Sequence, residues 1–127
     1  MNEEQEAEPF ATTLMSQLEG AIYRNFDVHD IEVALGNGFG VTRSVIDLSQ
    51  TTEAAVTRAI HQYLDASPTT LHGVVVVLDI SPRLFGSRLY RVLARSVRGR
   101  YPNGHFILVL RNNLQDGAPG RLTIWRR

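Results

Sequence analysis

The sequence of 127 residues contains no cysteine and no lysine. Without cysteine, disulfide bonds and thiolate metal sites are excluded, and the redox compartment stays open. The longest apolar run, around residues 74–80, is much shorter than a membrane-spanning helix requires. The amino terminus is acidic, which is the wrong charge for a secretory signal. We therefore expect a soluble, cytoplasmic protein, and the length suits one domain.

The charges are distributed unevenly although the formal net charge is zero. Residues 1–65 carry eleven acidic residues against three arginines, whereas residues 66–127 carry two acidic residues against ten arginines. The exclusive use of arginine as the basic residue is typical of codon bias in a GC-rich genome. The asymmetry has two interpretations: the acidic half faces the basic half within the fold, or the basic half marks a surface for a partner.

The sequence predicts a disordered acidic N-terminal segment over residues 1–8, followed by a single α/β domain over residues 9–127. Pro9 suits the first turn of a helix. The apolar residues that follow at steps of four predict a helix from Pro9 to Tyr23. They are Phe10, Leu14, Leu18 and Ile22.

The stretch "IEVALGNGFGVTRSVIDLS" predicts a β-hairpin over residues 31–49. Ile31, Val33 and Leu35 alternate with other residues, and β-branched residues follow on the return. Asn37-Gly38 between the two runs is a strong hairpin-turn signal. The same stretch contains a G-x-G pattern, but a phosphate-binding loop would need a helix directly after it, and a strand is predicted there.

Residues 51–65 predict a second helix, capped by Ser49 or Thr51, with an apolar face that ends at Leu64. "GVVVVLDIS" and "HFILVL" predict strands buried on both faces, and "RLTIWRR" predicts a short final strand. A helix between the two buried strands implies a right-handed parallel crossover. The predicted fold is a small mixed sheet of four to five strands with helices packed on it.

Residues 84–100 predict an amphipathic helix with a row of arginines. Phe85, Leu89, Val92, Leu93 and Val97 gather on one side of a helical wheel. The other side carries arginines at spacings of three, four and three, with no acidic residue to neutralise them. These candidate partner-binding residues are Arg88, Arg91, Arg95 and Arg98.

Candidate catalytic chemistry is sparse. Asp47 and Asp79 each end a predicted strand, where they could cap the following helix or, less in keeping with the pattern, hold Mg²⁺. The four histidines have no helical metal-site spacing, and no serine lies in a nucleophile-elbow motif. The sequence therefore predicts a protein that is not an enzyme and has no catalytic residue, cofactor or metal site.

Two stretches resemble a known family. "IEVALGNGFGVTRSVIDL", followed by "AIHQYLDASPTTLHGVVVVLDIS", is similar to the N-terminal domain of the septum-site-determining protein MinC. The strand–helix–strand scheme also resembles STAS domains, although the "DSSG" of phosphorylatable STAS domains is absent. The resemblance implies a non-catalytic interaction domain, which would act on the division GTPase FtsZ if MinC-like and on a kinase or a transporter if STAS-like.

Taken together, the sequence predicts a protein–protein interaction domain that binds an acidic partner through its arginine-rich helix, as a cell-division or signalling regulator. A first alternative is a nucleic-acid or phosphate binder that uses the same arginines; the near-neutral pI and the few aromatic residues nearby disfavour it. A second alternative is a subunit of a homo-oligomer, with the N-terminal helix and Trp125 buried against other copies.

Overall fold

The computed structural model describes residues 9–18, 26–48, 52–65, 72–81, 87–100, 104–112 and 120–127. Within these residues, the chain forms four helices and four strands. The helices are α1 (Phe10–Gln17), α2 (Val28–Leu35), α3 (Glu53–Asp65) and α4 (Ser87–Arg100). The strands are β1 (Thr42–Asp47), β2 (Gly73–Asp79), β3 (His105–Arg111) and β4 (Arg121–Arg126).

The four strands form one mixed sheet in the order β1-β4-β2-β3. Strand β2 is parallel to β3, whereas β4 lies between β1 and β2 and is antiparallel to both. The chain passes from β2 to β3 through α4, so the predicted parallel crossover is confirmed. The predicted mixed sheet of four to five strands with packed helices is also confirmed.

Helices cover both faces of this sheet. Val76 and Leu78 of β2 contact a core shared with α3 and α4. Val75 and Val77 contact a second core shared with α1 and α2. Because side chains alternate between the two faces of a strand, β2 is buried on both sides along its whole length, as its unbroken apolar run predicts.

Helix α1 packs on the chain's own sheet. Its buried residue Leu14 and the C-cap residue Leu18 belong to the same core as Trp125, which is only 8% exposed. The predicted helix from Pro9 is confirmed as far as Gln17, while its predicted end at Tyr23 lies outside the described residues. Another copy of the chain is therefore not needed to cover either the helix or the tryptophan, and a homo-oligomer stays a prediction.

Helix α2 lies where the sequence predicts the first strand of a hairpin, and that prediction is wrong. Asp27 Oδ1 accepts a hydrogen bond from the Asp30 N–H at 3.0 Å, and Asp30 Oδ2 accepts one from the Asp27 N–H at 2.9 Å. This reciprocal capping box satisfies two backbone N–H groups at the start of a helix. Ile31 and Leu35 are then buried one turn apart, while Val33 is 37% exposed.

The hairpin turn predicted at Asn37-Gly38 is wrong, because the connection at these residues joins α2 to β1 instead of two strands and Asn37 does not have a positive φ angle. Gly36 ends α2, and the three glycines of the connection have φ angles of 63°, 92° and 79°. Glycine adopts this left-handed region without a steric penalty. Strand β1 follows the G-x-G pattern, as predicted, so no helix begins there to receive a phosphate group.

Helix α3 is capped by Thr52, one residue after the predicted cap Thr51. Thr52 Oγ1 accepts a hydrogen bond at 3.1 Å from the backbone N–H three residues later. The predicted caps Ser49 and Thr51 lie outside the described residues. The predicted apolar face is confirmed, because the buried residues of α3 lie one turn apart: Val56, Ile60 and Leu64.

Candidate functional site

Helix α4 separates apolar from cationic side chains. Leu89, Leu93 and Val97 are buried in the core shared with α3 and the sheet. On the opposite side, four exposed side chains form what we call the arginine face: Arg88, Arg91, Arg95 and Arg98. The predicted amphipathic helix is therefore confirmed over Ser87–Arg100, while Phe85 lies outside the described residues.

Within the described residues, the arginine face has few anionic partners. Arg88 Nε lies 3.9 Å from Glu53 Oε2 of α3, and the Arg88 side chain is 83% exposed. Such a long and solvated ion pair adds little stability. Among the residues that the structure describes, Arg91, Arg95 and Arg98 have no ion pair within 4.0 Å. The acidic residues that the structure describes in the first half of the chain thus do not neutralise Arg91, Arg95 or Arg98.

The position of two of these arginines along α4 offsets part of the repulsion between their positive charges. Helix α4 contains no acidic residue, so its positive charges repel one another. Arg95 and Arg98 lie toward the C-terminal end, where the negative pole of the helix dipole favours cations. Burial raises the pKa of the neighbouring Tyr90 hydroxyl, and the positive charge of Arg98 opposes that rise. Arg98 is thus close enough to Tyr90 for its charge to influence the hydroxyl.

A hydrogen bond fixes α4 against α3. Ser96 Oγ and His61 Nε2 are 2.7 Å apart and partly buried between the two helices. The two residues are 35 positions apart in the sequence, and no local pattern links them, which is why the sequence analysis missed the pair. By joining the helices on the face opposite α1 and α2, this contact helps to hold the arginine face in a fixed orientation.

A row of alternating charges crosses one end of the sheet. Asp47, Arg121, Asp79 and Arg111 occupy matching register positions on β1, β4, β2 and β3. Arg111 Nε and Nη2 donate hydrogen bonds to the two carboxylate oxygens of Asp79, at 2.7 Å and 3.0 Å. Arg111 Nη1 also donates to the backbone carbonyl of Gln17. Arg121 Nε donates to Asp47 Oδ1 at 2.9 Å, and this hydrogen bond raises the pKa of Arg121. The row therefore joins β1 to β4 and β2 to β3 through side chains, and it attaches α1 to β3.

This row corrects the roles predicted for Asp47 and Asp79. Neither carboxylate caps a helix among the described residues, because each is bound to an arginine of a neighbouring strand. Both oxygens of Asp79 are occupied by Arg111, and the Asp79 side chain is only 7% exposed. A guanidinium group thus stands where a Mg²⁺ ion would have to bind, which argues against the magnesium interpretation.

Groups of three or more histidine, aspartate and glutamate side chains suited to a metal ion are absent from the described part of the chain. The fold does bring together two of the four histidines, with the rings of His72 and His105 centred 5.6 Å apart. Of the helices that the structure describes, none has the length and apolar character needed to cross a membrane.

Comparison with solved structures shows a likeness to part of FtsZ. The fold superimposes on a tryptophan-to-tyrosine mutant of M. jannaschii FtsZ with a TM-score of 0.63, at 15% sequence identity and over 91% of this chain. An empty FtsZ dimer from M. jannaschii also gives a TM-score of 0.63, at 17% identity and over 92% of this chain. The match spans 36% of each FtsZ chain, and at this identity it shows a shared fold alone.

Comparison at the level of sequence gives no assignment. No protein-family model matches the chain, and no curated protein matches it either. The resemblance to MinC and to STAS domains is not confirmed by the structural comparison, and its opening hairpin is replaced by α2 and β1. The fold is α/β as predicted, and the two FtsZ structures share it over 36% of their own length.

Proposed function

We propose that this protein is a non-catalytic interaction domain that binds an acidic protein through the arginine face of α4. The observation that carries the proposal is the exposed row Arg88, Arg91, Arg95 and Arg98, three members of which have no ion pair among the described residues. The row lies on a helix whose other side is buried, so the four side chains start from a fixed scaffold. A binding surface of this kind loses little backbone freedom when a partner docks.

Arginine suits this role for a chemical reason. Its planar guanidinium group donates in a fork that matches a carboxylate, and it is more weakly hydrated than an ammonium group. Each exposed ion pair contributes about 0.2–1 kcal/mol. Four such pairs would then contribute roughly 1–4 kcal/mol in total and would mainly accelerate encounter and select partners of opposite charge.

The cell-division machinery is the first place in which we would look for the partner. The fold resembles part of FtsZ. The sequence also resembles MinC, which is a partner of FtsZ, but the opening hairpin of that resemblance is replaced by α2 and β1, so the likeness of fold is the main support for this choice. We therefore include purified FtsZ among the candidate partners.

The experiment is affinity capture with the purified protein and three variants. The quadruple variant Arg88→Glu/Arg91→Glu/Arg95→Glu/Arg98→Glu should lose the acidic partner. Arg91→Glu/Arg95→Glu should weaken its capture. The control Arg43→Glu/Arg58→Glu makes the same charge change as the double variant at exposed arginines on β1 and α3 and should leave capture intact. Retention of every captured protein by the quadruple variant would reject the proposal, provided circular dichroism shows that all variants are folded.

A nucleic-acid partner for the same arginines makes a different prediction. Binding to random duplex DNA would release counterions, so the logarithm of the binding constant would fall with a slope of several against the logarithm of the salt concentration. We expect weak DNA binding at physiological salt. Tight binding with that steep slope, lost in the quadruple variant, would favour the nucleic-acid alternative over an acidic protein.

A further inference from the structure

Within the described part of the chain, no strand covers the outer edge of β1. Strand β1 is the first in the order β1-β4-β2-β3 and pairs only with β4 there. Its residues Arg43, Val45 and Asp47 are all exposed. The other edge strand, β3, differs, because Leu108 and Leu110 are buried. Of the two edges of the sheet, β1 is therefore the one that another strand can reach.

The exposed residues of β1 also direct their backbone groups away from the sheet. The Leu48 N–H donates to the Gly120 carbonyl at 2.9 Å, in continuation of the register between β1 and β4. Because backbone groups alternate in direction along an antiparallel strand, the even-numbered residues of β1 bond toward β4 and the odd-numbered ones face outward. The far side of β4 agrees. The Arg127 N–H donates to the Gly73 carbonyl next to β2, which leaves the even-numbered residues of β4 directed at β1.

Side-chain contacts hold β1 in place. The Tyr63 hydroxyl of α3 donates to Ser44 Oγ at 2.7 Å. On the other face of the strand, the Arg43 guanidinium group lies 5.6 Å from the centre of the Trp125 ring. A strand that is already ordered loses little freedom when a partner pairs with it.

Helix α3 leaves space beside this edge. A cleft of about 240 Å³ lies between the end of β1 and α3. Part of its helical wall consists of the small residues Ala55 and Ala59, and Arg58 and Gln62 supply polar side chains. The helix therefore does not close the edge of β1 against an approaching strand.

The charges of β1 are complementary to themselves. In an antiparallel pair of β1 strands centred on Val45, each Arg43 lies opposite Asp47 of the second copy, and the two Val45 side chains face each other. All three residues are odd-numbered, so they share one face of the strand and are the ones whose backbone groups face outward. Opposite charges directly across an antiparallel pair stabilise it, whereas like charges destabilise it. A pair centred on Arg43 or on Asp47 would place like charges opposite each other.

We propose that two copies of this chain associate through β1 and join their four-stranded sheets into one continuous sheet. The outward backbone groups of Arg43, Val45 and Asp47 would exchange hydrogen bonds with those of the second copy about a two-fold axis at Val45. Arg121 donates to only one carboxylate oxygen of Asp47, Oδ1, and the Asp47 side chain is 72% exposed. Arg43 of the second copy therefore has room to bind the same carboxylate.

Self-complementarity favours a second copy over a strand of an unrelated protein. Any strand could bond to the backbone of the edge, but it would also need an acidic and a basic residue four positions apart in the matching order. A second copy supplies both by symmetry. The arginine faces do not oppose this arrangement, because α4 packs on β3, at the opposite end of the strand order.

Sedimentation of the purified full chain, with a charge exchange, tests the proposal. As the concentration rises from about 5 µM to about 500 µM, the wild-type mass should rise toward twice the 14.2 kDa of one chain. Arg43→Asp alone and Asp47→Arg alone should each dimerise at least about tenfold more weakly, because like charges then lie opposite each other. An equimolar mixture of the two variants pairs aspartate with arginine at both positions and should regain wild-type dimerisation to within about threefold.

The control Arg91→Asp makes the same charge change as Arg43→Asp at an exposed arginine of α4 and should dimerise like the wild type. A wild-type protein that stays monomeric up to the highest concentration would overturn the proposal. So would variants that dimerise normally on their own, or a mixture that stays as weak as its components. Circular dichroism of each variant separates loss of pairing from loss of folding.

Amide hydrogen exchange locates the interface. As the dimer forms, exchange should slow at the N–H groups of Arg43, Val45 and Asp47. The N–H groups of Ser44 and Ile46, already directed at β4, should change little. Unchanged exchange at the three outward-facing amides of a dimeric sample would mean that the copies associate through another surface, and would overturn the assignment to β1.

This inference goes beyond the proposed function and fails separately from it. Arg43→Glu/Arg58→Glu should lose the dimer and keep the acidic partner, whereas Arg91→Glu/Arg95→Glu should keep the dimer and weaken the partner. A dimer that persists in the first variant rejects the β1 interface alone. Normal partner binding by the second variant rejects the role of the arginine face alone.

Discussion

Removal of Arg111 should destabilise the protein far more than removal of Arg121, although both arginines belong to the same row of alternating charges. Arg111 binds Asp79, whose side chain is only 7% exposed, whereas Arg121 binds Asp47, whose side chain is 72% exposed. Arg111→Met leaves a buried carboxylate without its partner. Breaking a buried ion pair in this way costs about 3–5 kcal/mol, and the partial exposure of Arg111 at 24% places our expectation near the lower value.

The comparison variant Arg121→Met should cost about 0–1 kcal/mol, because water solvates the carboxylate that it leaves behind. Urea denaturation followed by circular dichroism measures both free energies of unfolding. For a domain of this size, a loss of about 3 kcal/mol corresponds to a melting temperature lower by roughly 10 °C. In a double-mutant cycle, Asp79→Asn with Arg111→Met should show a coupling energy above about 1 kcal/mol, and Asp47→Asn with Arg121→Met should show almost none.

Equal destabilisation by the two arginine variants would refute this reasoning, since it would mean that burial does not determine the strength of these pairs. The same samples test the role assigned to Asp79. If the carboxylate is occupied by Arg111, millimolar MgCl₂ should not raise the melting temperature of the wild-type protein. A magnesium-dependent rise that disappears in Asp79→Asn would restore the metal-site interpretation.

Three further predictions concern the scaffold that supports the arginine face. Gly73→Ala should cost at least about 1–3 kcal/mol in urea denaturation, because the added Cβ would collide with the backbone carbonyl of Ala34 where α2 crosses β2; a neutral result would mean that α2 does not pack there. Asp27→Ala should cost about 1 kcal/mol and lower helicity by removing the capping box of α2, whereas no loss of helicity would favour the hairpin. The raised pKa of Tyr90 means that its neutral form is favoured in the folded protein, so the resulting stability is present below about pH 10 and is lost as pH rises through the folded-state pKa. Tyr90→Phe should flatten that alkaline loss in a pH series of thermal melts, and an identical loss in the variant would contradict the assignment.

Long and unambiguous patterns made most of the sheet and two helices predictable. The apolar run of β2 matches a strand buried on both faces, and residues 105–111 extend the same logic to β3. Helices α3 and α4 carry helical periodicity over more than three turns, which no strand could satisfy. The outward position of the arginines follows from the same periodicity.

Helix α2 was not predictable from apolar spacing because its short sequence satisfies two periods. Ile31, Val33 and Leu35 alternate as in a strand, while Ile31 and Leu35 also lie one helical turn apart. The deciding signal lies outside that run, in the Asp27 and Asp30 side chains that bond each other's backbone. An Asp-x-x-Asp pattern before an apolar run indicates a helix start, and it would have favoured the helix.

The contacts between charged residues of neighbouring strands depend on the order of the strands in the sheet, which cannot be inferred from the sequence. β4 comes last in the sequence, yet it lies between β1 and β2 and leaves β3 at the edge. Asp79 and Arg111 are 32 positions apart, and only the parallel register brings them together. Helices α2 and α4 likewise lie on opposite faces of the sheet, an arrangement that no local pattern encodes.

The central claim is that the arginine face of α4 binds an acidic protein, and the dissociation constant of the captured partner tests it most directly. Two exposed ion pairs, each reversed to a repulsive contact, should cost roughly 1.5–3 kcal/mol, so Arg91→Glu/Arg95→Glu should weaken binding about 10- to 100-fold at low salt. The difference should shrink as NaCl is added. The charge-matched control Arg43→Glu/Arg58→Glu should change the dissociation constant less than about threefold. Equal weakening by the two variants, or none by either, would contradict the account.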